Sequence, residues 1–89
     1  MFEISMTTQA EHAYIHLNSL MRERIDQVLE QFEQGIFRHH NIKALHGQYS
    51  GSLRYRIGKW RIIFRIDHDQ RIVWIEAITT RGGAYRSKD

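Results

Sequence analysis

The stretch LRYRIGKWRIIFR, Leu53 to Arg65, alternates apolar and cationic residues with the two-residue period of a β-strand. The alternation breaks at Gly58-Lys59 and then resumes. A Gly-X pair between two alternating runs is typical of a two-residue type II′ hairpin turn. Such a turn sets the register of both strands, and it predicts the cross-strand pairs Ile57–Trp60, Arg56–Arg61, Tyr55–Ile62 and Leu53–Phe64.

A third strand is expected after the polar turn Asp67-His68-Asp69-Gln70, so that the strands span roughly residues 52–57, 60–67 and 71–79. If this turn is a four-residue loop, the expected pairs are Ile66–Arg71, Phe64–Val73, Ile62–Ile75 and Arg61–Glu76. One sheet face is then uncharged and must take the helices: Leu53, Tyr55, Ile57, Trp60, Ile62, Phe64, Ile66, Val73, Ile75 and Ala77. The other face carries Arg54, Arg56, Arg61, Ile63, Arg65, Ile72, Trp74 and Glu76.

This second face concentrates arginine. Arg56 and Arg61 are predicted to lie directly opposite each other, and like charges in that position destabilise a sheet. An anion that docks on the face offsets the repulsion, and a nucleic-acid backbone is the natural choice. The expected RNA- and phosphate-binding residues around that pair are Arg54, Arg65, Lys59 and Trp74, the last by stacking on an unpaired base. The alternative is a solvated basic face in which the arginine stems cover the sheet.

The first half of the chain predicts one short strand and two helices. FEISM, residues 2–6, is the strand, and the first helix begins at Thr7-Thr8, where a hydroxyl is placed to cap it. The second helix is expected to be capped by Ser19 and to end at Gly35, with the apolar stripe Ile25, Val28, Leu29, Phe32 and Ile36. Residues 38–51 are polar and are predicted to be a connection. The order β-α-α-β-β-β indicates an α+β fold with two N-terminal helices packed on one face of a mainly antiparallel sheet.

Length and composition narrow the class of protein. Eighty-nine residues predict one domain, residues 1–89. Cysteine is absent, which excludes disulfides and thiolate metal sites. The chain has neither the apolar run of a signal peptide nor the roughly 20 apolar residues of a membrane span, so we expect a soluble, cytoplasmic protein.

The charges divide between the two halves of the chain. Residues 1–42 contain three arginines against six carboxylates, a net charge of −3, whereas residues 43–89 contain ten Lys or Arg against four carboxylates, a net charge of +6. Ten of the thirteen cations are arginine, the side chain best suited to bidentate phosphate contact. The basic half therefore favours a polyanionic partner.

The histidines give weaker indications. His12 and His16 have the i, i+4 spacing of a two-ligand metal face, but no third ligand accompanies them. We interpret them as a surface pair, and no metal or other cofactor is predicted. His39-His40 lies in the polar connection and suggests no catalytic role.

The chain as a whole resembles the RelE/ParE superfamily of toxins from type II toxin–antitoxin pairs. The resemblance depends on Leu45-x-Gly47, on the arginine-alternating strand that runs into Gly58-x-Trp60-Arg61-Ile62-Ile63-Phe64, on the charged turn, and on Arg81-x-x-x-Tyr85. The β-α-α-β-β-β order matches as well, so the likeness covers nearly the whole chain.

A RelE-like toxin is an mRNA endoribonuclease that acts on the ribosome, cleaves in the A site by metal-free attack of a ribose 2′-OH on the adjacent phosphate, and is silenced by a cognate antitoxin. By this resemblance the catalytic residues are Arg56, Arg61, Arg81 and Tyr85. Arg54 and Arg56 match the basic pair of the second strand, and Arg61 matches the arginine that stabilises the phosphate. Arg81 matches the arginine near the leaving group, and Tyr85 the aromatic residue that stacks on or orients the substrate. The antitoxin is expected to mask part of Arg54, Arg56, Arg61 and Arg81.

The resemblance leaves open which residue is the general base, and it also leaves open two alternative functions. RelE proper has lysines where this chain has Arg54 and Arg56, and arginine is a poor general base, so the base is unassigned and Lys59 and His46 are possible substitutes. A ParE-like toxin shares the fold but poisons DNA gyrase and cleaves nothing. A catalytically degenerate member would only bind its antitoxin.

Overall fold

The computed structural model describes residues 1–80. In chain order the elements are β1 (Glu3–Met6), α1 (Thr8–Ile15), α2 (Ser19–Glu33), β2 (Ile42–Ala44), a 3₁₀ helix (Gly47–Tyr49), β3 (Leu53–Ile57), β4 (Trp60–Asp67) and β5 (Ile72–Thr80). The sheet has the order β1-β5-β4-β3-β2, with β1 parallel to β5 and the other neighbours antiparallel. The predicted α+β class, with two helices on one face of a mainly antiparallel sheet, is confirmed.

β2 lies inside the segment that the sequence predicts to be a connection. Its three residues pair with β3, so that Ile42 lies opposite Tyr55 and Lys43 opposite Arg54. Three residues are too few for an alternating pattern to be recognised. The strand adds one more cation, Lys43, beside Arg54 on the face of the sheet that is turned away from the helices. We call this the open face.

The β3–β4 hairpin has the predicted register. Ile57 pairs with Trp60, Arg56 with Arg61, Tyr55 with Ile62 and Leu53 with Phe64. Gly58 has a φ of 58°, the left-handed value that the first central position of a type II′ turn requires and that glycine adopts without strain. The Gly-X pair therefore determines which residues meet across the hairpin.

The predicted register between β4 and β5 is wrong by two residues. The loop has four residues as expected, but it starts one residue later, so Asp67 pairs with Ile72 and Ile66 with Val73. Asp67 Oδ1 accepts the Gln70 backbone N–H at 3.0 Å, and Arg71 closes the loop with a φ of 58°. Because a shift of two residues keeps each side chain on its face, the sorting of Val73, Trp74 and Ile75 is unaffected.

A β-bulge changes the faces beyond that point. Phe64 pairs with Ile75, but the next pair is Ile63 with Ala77, so Glu76 is the extra residue in β5. Ala77 was expected on the helix-covered face and instead lies opposite Ile63 on the open face, whereas Ile78 joins the core under the helices. Glu76 consequently does not face Arg61, as expected, and Arg61 pairs with Thr79.

Side-chain caps set the starts of both helices. Thr7 Oγ1 accepts the Ala10 N–H at 3.2 Å, as predicted for a hydroxyl at this position. The cap of α2 is Asn18, whose Oδ1 accepts the Met21 N–H at 2.8 Å, so the prediction of Ser19 is wrong by one residue. Gly35, with a φ of 78°, ends α2 as predicted. Within the described residues, neither helix is long and apolar enough to cross a membrane.

The core lies between the helices and the uncharged sheet face, with Phe32 at its centre. The Phe32 ring centroid is 4.4 Å from that of Phe64 and 6.1 Å from that of Tyr55. Ile36, predicted to continue the apolar stripe of α2, lies beyond Gly35 and is 48% exposed. The buried members of the core are Ala10, Leu17, Ile25, Val28, Phe32, Tyr55, Ile57, Ile62, Phe64, Val73, Ile75 and Ile78.

Removing the Thr7 hydroxyl tests how α1 is attached to the sheet. Thr7 Oγ1 caps α1 and also donates to the Glu76 carbonyl at 2.7 Å. We expect Thr7→Ala to lower the free energy of unfolding by about 1–2 kcal/mol, since both bonds are lost. Urea denaturation followed by circular dichroism measures the change. Thr8→Ala is the matched control, because Thr8 is exposed, and it should stay within about 0.5 kcal/mol. Equal effects of the two substitutions would contradict the attachment.

The contact between Tyr14 and Asp26 gives a second test, with a defined pH dependence. The Tyr14 hydroxyl donates to Asp26 Oδ1 at 2.6 Å, and this hydrogen bond is the main reason that the pKa of Tyr14 lies above its ordinary value of 10.0. We expect Tyr14→Phe to cost about 1 kcal/mol at pH 7. Because the folded-state pKa is raised, the difference between the two proteins should be constant below pH 10 and should shrink above it. A difference that grows with rising pH would contradict this assignment.

Candidate nucleic-acid interface

The tip of the β3–β4 hairpin carries the densest positive charge on the open face. Arg56 and Arg61 are a direct cross-strand pair, and Lys59 occupies the turn between their strands. With Gly58 these residues line a depression of about 260 Å³, and no described residue that lines it is acidic. Arg56 and Lys59 are exposed, and Arg61 is half-buried. The tip therefore has the positive charge and the guanidinium donors that a bound anion would require.

Arg54 lies one row further into the open face. Its neighbours across the sheet are Ile63 on β4 and Lys43 on β2. Its Nε is buried and has no hydrogen-bond partner among residues 1–80. A buried donor without a partner costs free energy, and an acceptor oxygen of a ligand would recover that cost.

Arg65 differs from the other strand arginines because it has internal partners. Its Nε lies 3.5 Å from Glu76 Oε2, and its Nη2 donates to Ser52 Oγ at 3.1 Å. Ser52 is only 2% exposed and donates in turn to Glu76 Oε1 at 2.7 Å. The Arg65 guanidinium also lies against Gly51, where an added Cβ would come within 2.7 Å of Nη1. This arginine thus holds the loop before β3 in place and has a carboxylate to neutralise it.

Trp74 lies on the open face beside Arg65, its cross-strand partner, and 40% of the residue is exposed. The Arg65–Glu76 pair lies between Trp74 and the rows of β4 that contain Ile63 and Arg61. Trp74 therefore belongs to the same surface as the arginines, but at the opposite end from the hairpin tip.

Several predicted residues are not brought together here. Arg81 and Tyr85 lie outside the described residues. His46, considered as a substitute base, is exposed at the start of the 3₁₀ helix. Among residues 1–80, no group of three or more His, Asp or Glu side chains is arranged to hold a metal ion.

Two residues of the site had no usable pattern in the sequence. Lys43 belongs to a strand too short to be predicted, although its cation extends the basic surface beside Arg54. Ser52 is a small polar residue at the start of an alternating run, and only the bulge at Glu76 gives it a carboxylate partner. A bulge in β5 has no signature in the alternation before it.

Comparison with known proteins identifies the family. The family model of the ParE toxin of type II toxin–antitoxin systems, parDE, matches residues 4–85, which is most of the chain. The chain belongs to the RelE/ParE toxin superfamily. It is therefore a toxin of a type II toxin–antitoxin system, as the resemblance implied. No curated protein matches its sequence.

Solved structures of this superfamily share the fold at low sequence identity. The YoeB/ParE toxin from Agrobacterium tumefaciens has a TM-score of 0.79 and 14% identity, over 90% of this chain and 99% of that one. The E. coli RelBE toxin–antitoxin complex gives 0.76 and 13%, over 91% and 98%. The archaeal RelE–RelB complex from Pyrococcus horikoshii OT3 gives 0.76 and 20%, over 93% and 98%. At these identities the likeness establishes the fold alone.

The different surroundings of the arginines predict opposite effects on stability. Glu76→Ala should lower the free energy of unfolding by about 1–2 kcal/mol, because the buried Ser52 hydroxyl loses its acceptor and Arg65 loses its counter-charge. Arg56→Ala should leave stability unchanged or slightly higher, because it removes a like-charge pair with Arg61. Urea denaturation at low salt measures both changes. A loss in Arg56→Ala as large as that in Glu76→Ala would show that the tip arginines serve the fold.

Proposed function

We propose that this toxin is a ribosome-dependent mRNA endoribonuclease, which cleaves in the A site by metal-free attack of a ribose 2′-OH on the adjacent phosphate. The observation that carries the proposal is the cross-strand pair Arg56–Arg61 with Lys59 around one depression at the hairpin tip. A repulsive pair on a solvent-facing surface weakens the sheet. A phosphate bound between the two guanidinium groups turns that repulsion into attraction.

The chemistry of RNA cleavage fits such a site. Attack of the 2′-OH places additional negative charge on the oxygens around phosphorus. Fixed guanidinium groups that meet this charge stabilise the transition state more than the ground state. The need for a 2′-OH confines the reaction to RNA.

We assign the residues as follows. Arg61 and Arg56 contact the scissile phosphate, and the unpartnered Nε of Arg54 supplies a further donor to the RNA backbone. Lys59 attracts the strand to the tip, and Arg65 contributes positive field while it holds the loop before β3. Trp74 stacks on a base. Arg81 is placed near the leaving group and Tyr85 orients the substrate, by resemblance to RelE.

The general base is not assigned by this set, because guanidinium groups do not accept protons near neutral pH. Lys59 lines the depression together with Arg56 and Arg61, and His46 is exposed before β3. Of the two, Lys59 shares a depression with the arginines, but its ammonium group is a donor and not an acceptor, so the base stays unassigned.

A separately encoded antitoxin is the proposed protein partner. One of the structural neighbours is an intact toxin–antitoxin complex. A partner that silences this toxin would cover part of Arg54, Arg56, Arg61 and Arg81. The basic charge of that surface favours an acidic segment over it, whose carboxylates compete with RNA phosphates for the same guanidinium groups.

A second candidate function is inhibition of DNA gyrase. The observation in its favour is that the matching family model is that of the ParE toxin. A gyrase poison needs protein contacts and no arrangement of arginines around a phosphate. The third reading is a member that binds its antitoxin without catalysis, and the unassigned base favours it.

The test is an in vitro translation reaction with the purified chain, in which the ends of the mRNA are mapped by primer extension. The wild-type protein should produce cuts at A-site codons. Arg56→Ala, Arg61→Ala and Arg81→Ala should each reduce cutting by about 100-fold or more, because each removes a donor to the developing charge. Arg38→Ala is the control, since Arg38 is exposed in the connection before β2 and lies outside the open face.

Three results separate the candidates. Cuts that vanish in the arginine variants and persist in Arg38→Ala support the nuclease. Intact mRNA together with gyrase-dependent cleavage of plasmid DNA would replace it with the gyrase poison. Intact mRNA with unaffected gyrase would leave only antitoxin binding.

A further inference from the structure

A second cavity lies on the other side of β3, between its outer edge and α2. β2 pairs with β3 only as far as Tyr55, and the last backbone hydrogen bond on this edge runs from the Arg56 N–H to the Asn41 carbonyl at 3.1 Å. The cavity there has a volume of about 230 Å³, and Arg24, Gln27 and Gln31 of α2 line it. This is smaller than the roughly 300–1,000 Å³ of sites for drug-sized ligands. Its size suits one small ring or one phosphate group with a short extension.

Tyr55 lines this cavity with a hydroxyl that lacks a hydrogen bond. The residue is only 6% exposed, and its hydroxyl has no partner among residues 1–80. Burial raises the pKa of Tyr55, so near neutral pH the group is a neutral hydroxyl that both donates and accepts. The hydroxyl is not among the fully buried polar atoms without a partner, which within residues 1–80 are Arg22 Nε and Arg54 Nε, so the cavity leaves it open to solvent and to a ligand.

His39 lines the cavity beside Tyr55. The ring centroids of His39 and Tyr55 are 5.1 Å apart and nearly parallel, and His40 stacks on His39 at 4.4 Å. The Asn41 backbone N–H donates to His39 Nδ1 at 3.0 Å. In the neutral ring this places the proton on Nε2, which remains a donor. Tyr55 and His40 thus cover the two faces of the His39 ring, so its polar edge is the part that a ligand in the cavity would contact.

The cavity is also basic. Arg24 and Arg56 line it, both are exposed, and none of its described lining residues is acidic. Arg56 lines the depression at the hairpin tip as well, so the two sites meet at this residue. A chain of phosphates can therefore pass from the tip to the cavity around β3 without leaving the reach of a guanidinium group.

We propose that the cavity between α2 and β3 binds one nucleotide of single-stranded RNA, with the base against the polar edges of His39 and Tyr55 and a phosphate on Arg24 and Arg56. Gln27 and Gln31 supply amide donors and acceptors to the edge of the base. The proposal rests on the proposed function for the source of the nucleotide, since the same RNA would occupy the hairpin tip. It adds a subsite that recognises a base beside the site that contacts the scissile phosphate.

The test is an NMR titration of the intact ¹⁵N-labelled chain with adenosine 5′-monophosphate, with inorganic phosphate and with an adenosine RNA hexamer. The monophosphate should shift amide signals of residues 24–31, 39–41 and 55–57, whereas inorganic phosphate should shift them far less. The hexamer should shift these signals and also those of the hairpin tip at Lys59. Shifts confined to the tip, or equal shifts with phosphate and monophosphate, would overturn the proposal.

Two substitutions in the cavity, each with a matched control outside it, test which residues bind the monophosphate. Tyr55→Phe removes only the unpartnered hydroxyl and should weaken monophosphate binding about threefold to tenfold without lowering the melting temperature. Tyr14→Phe is the matched control, because the Tyr14 hydroxyl is bonded to Asp26 outside this cavity and should affect stability but not binding. Arg24→Gln should weaken binding about tenfold, and Arg38→Gln should not. Unchanged affinity in both Tyr55→Phe and Arg24→Gln would overturn the proposal.

These results are separable from those of the translation assay. Binding that maps to the cavity in a protein that leaves mRNA intact would remove the nuclease and keep the nucleotide site. A-site cleavage by a protein whose cavity binds no monophosphate would do the reverse.

Discussion

The bulge at Glu76 gives the backbone and the side chain of one residue different partners. Its carbonyl accepts the Thr7 hydroxyl at 2.7 Å, and its carboxylate accepts Ser52 and faces Arg65. The start of α1, the loop before β3 and the middle of β4 are thereby attached to the same point of β5. The inserted residue also reverses the faces that follow it, so that Ile78 completes the core. Helix placement and sheet electrostatics therefore depend on the same irregularity.

The ion pair between Glu76 and Arg65 neutralises one end of the open face and leaves the other end positively charged. Arg65 has Glu76 as a counter-charge, whereas Arg56 and Lys59 at the hairpin tip have no carboxylate partner within residues 1–80. A type II′ turn at Gly58 brings Arg56 opposite Arg61, so the repulsion between them follows directly from the fold. A pair of this kind can be tolerated because the core under the other face is extensive. An anion bound between the two guanidinium groups would offset the repulsion.

The sequence predicts the β3–β4 hairpin correctly because both of its determinants are local. A Gly-X turn fixes which residues pair, and the alternation on each side fixes which face they share. The register between β4 and β5 has no such local determinant, since a four-residue loop can begin at more than one position in the polar segment around Asp67. Only the hydrogen bond from Gln70 to Asp67 and the left-handed Arg71 show which frame is used. An error of two residues leaves the faces correct, which explains why Val73, Trp74 and Ile75 are assigned to the correct faces in a wrong register.

The candidate site was likewise predictable only where it depends on local sequence. Arg56 and Arg61 follow from the turn, but the partner of Glu76 depends on the bulge, which arises from contacts distant in sequence such as that with Thr7. The cavity beside β3 could not be predicted at all. It exists because β2 begins only at Ile42, opposite Tyr55, and because α2 places Arg24 and Gln31 beside the end of β3. Neither condition leaves a pattern in the residues of β3.

The fold by itself does not separate the nuclease from the gyrase poison, since one fold can carry unrelated activities. What separates them is whether the surface can hold RNA in a reactive shape. Displacement at phosphorus needs the attacking and leaving oxygens roughly in line, and binding energy from neighbouring nucleotides is the usual means of imposing such a geometry. A phosphate at the hairpin tip and a base in the cavity behind β3 would bend the RNA around one strand, with Arg56 contacting both positions. A protein that uses this surface only to contact another protein has no need of a basic cavity beside the hairpin tip.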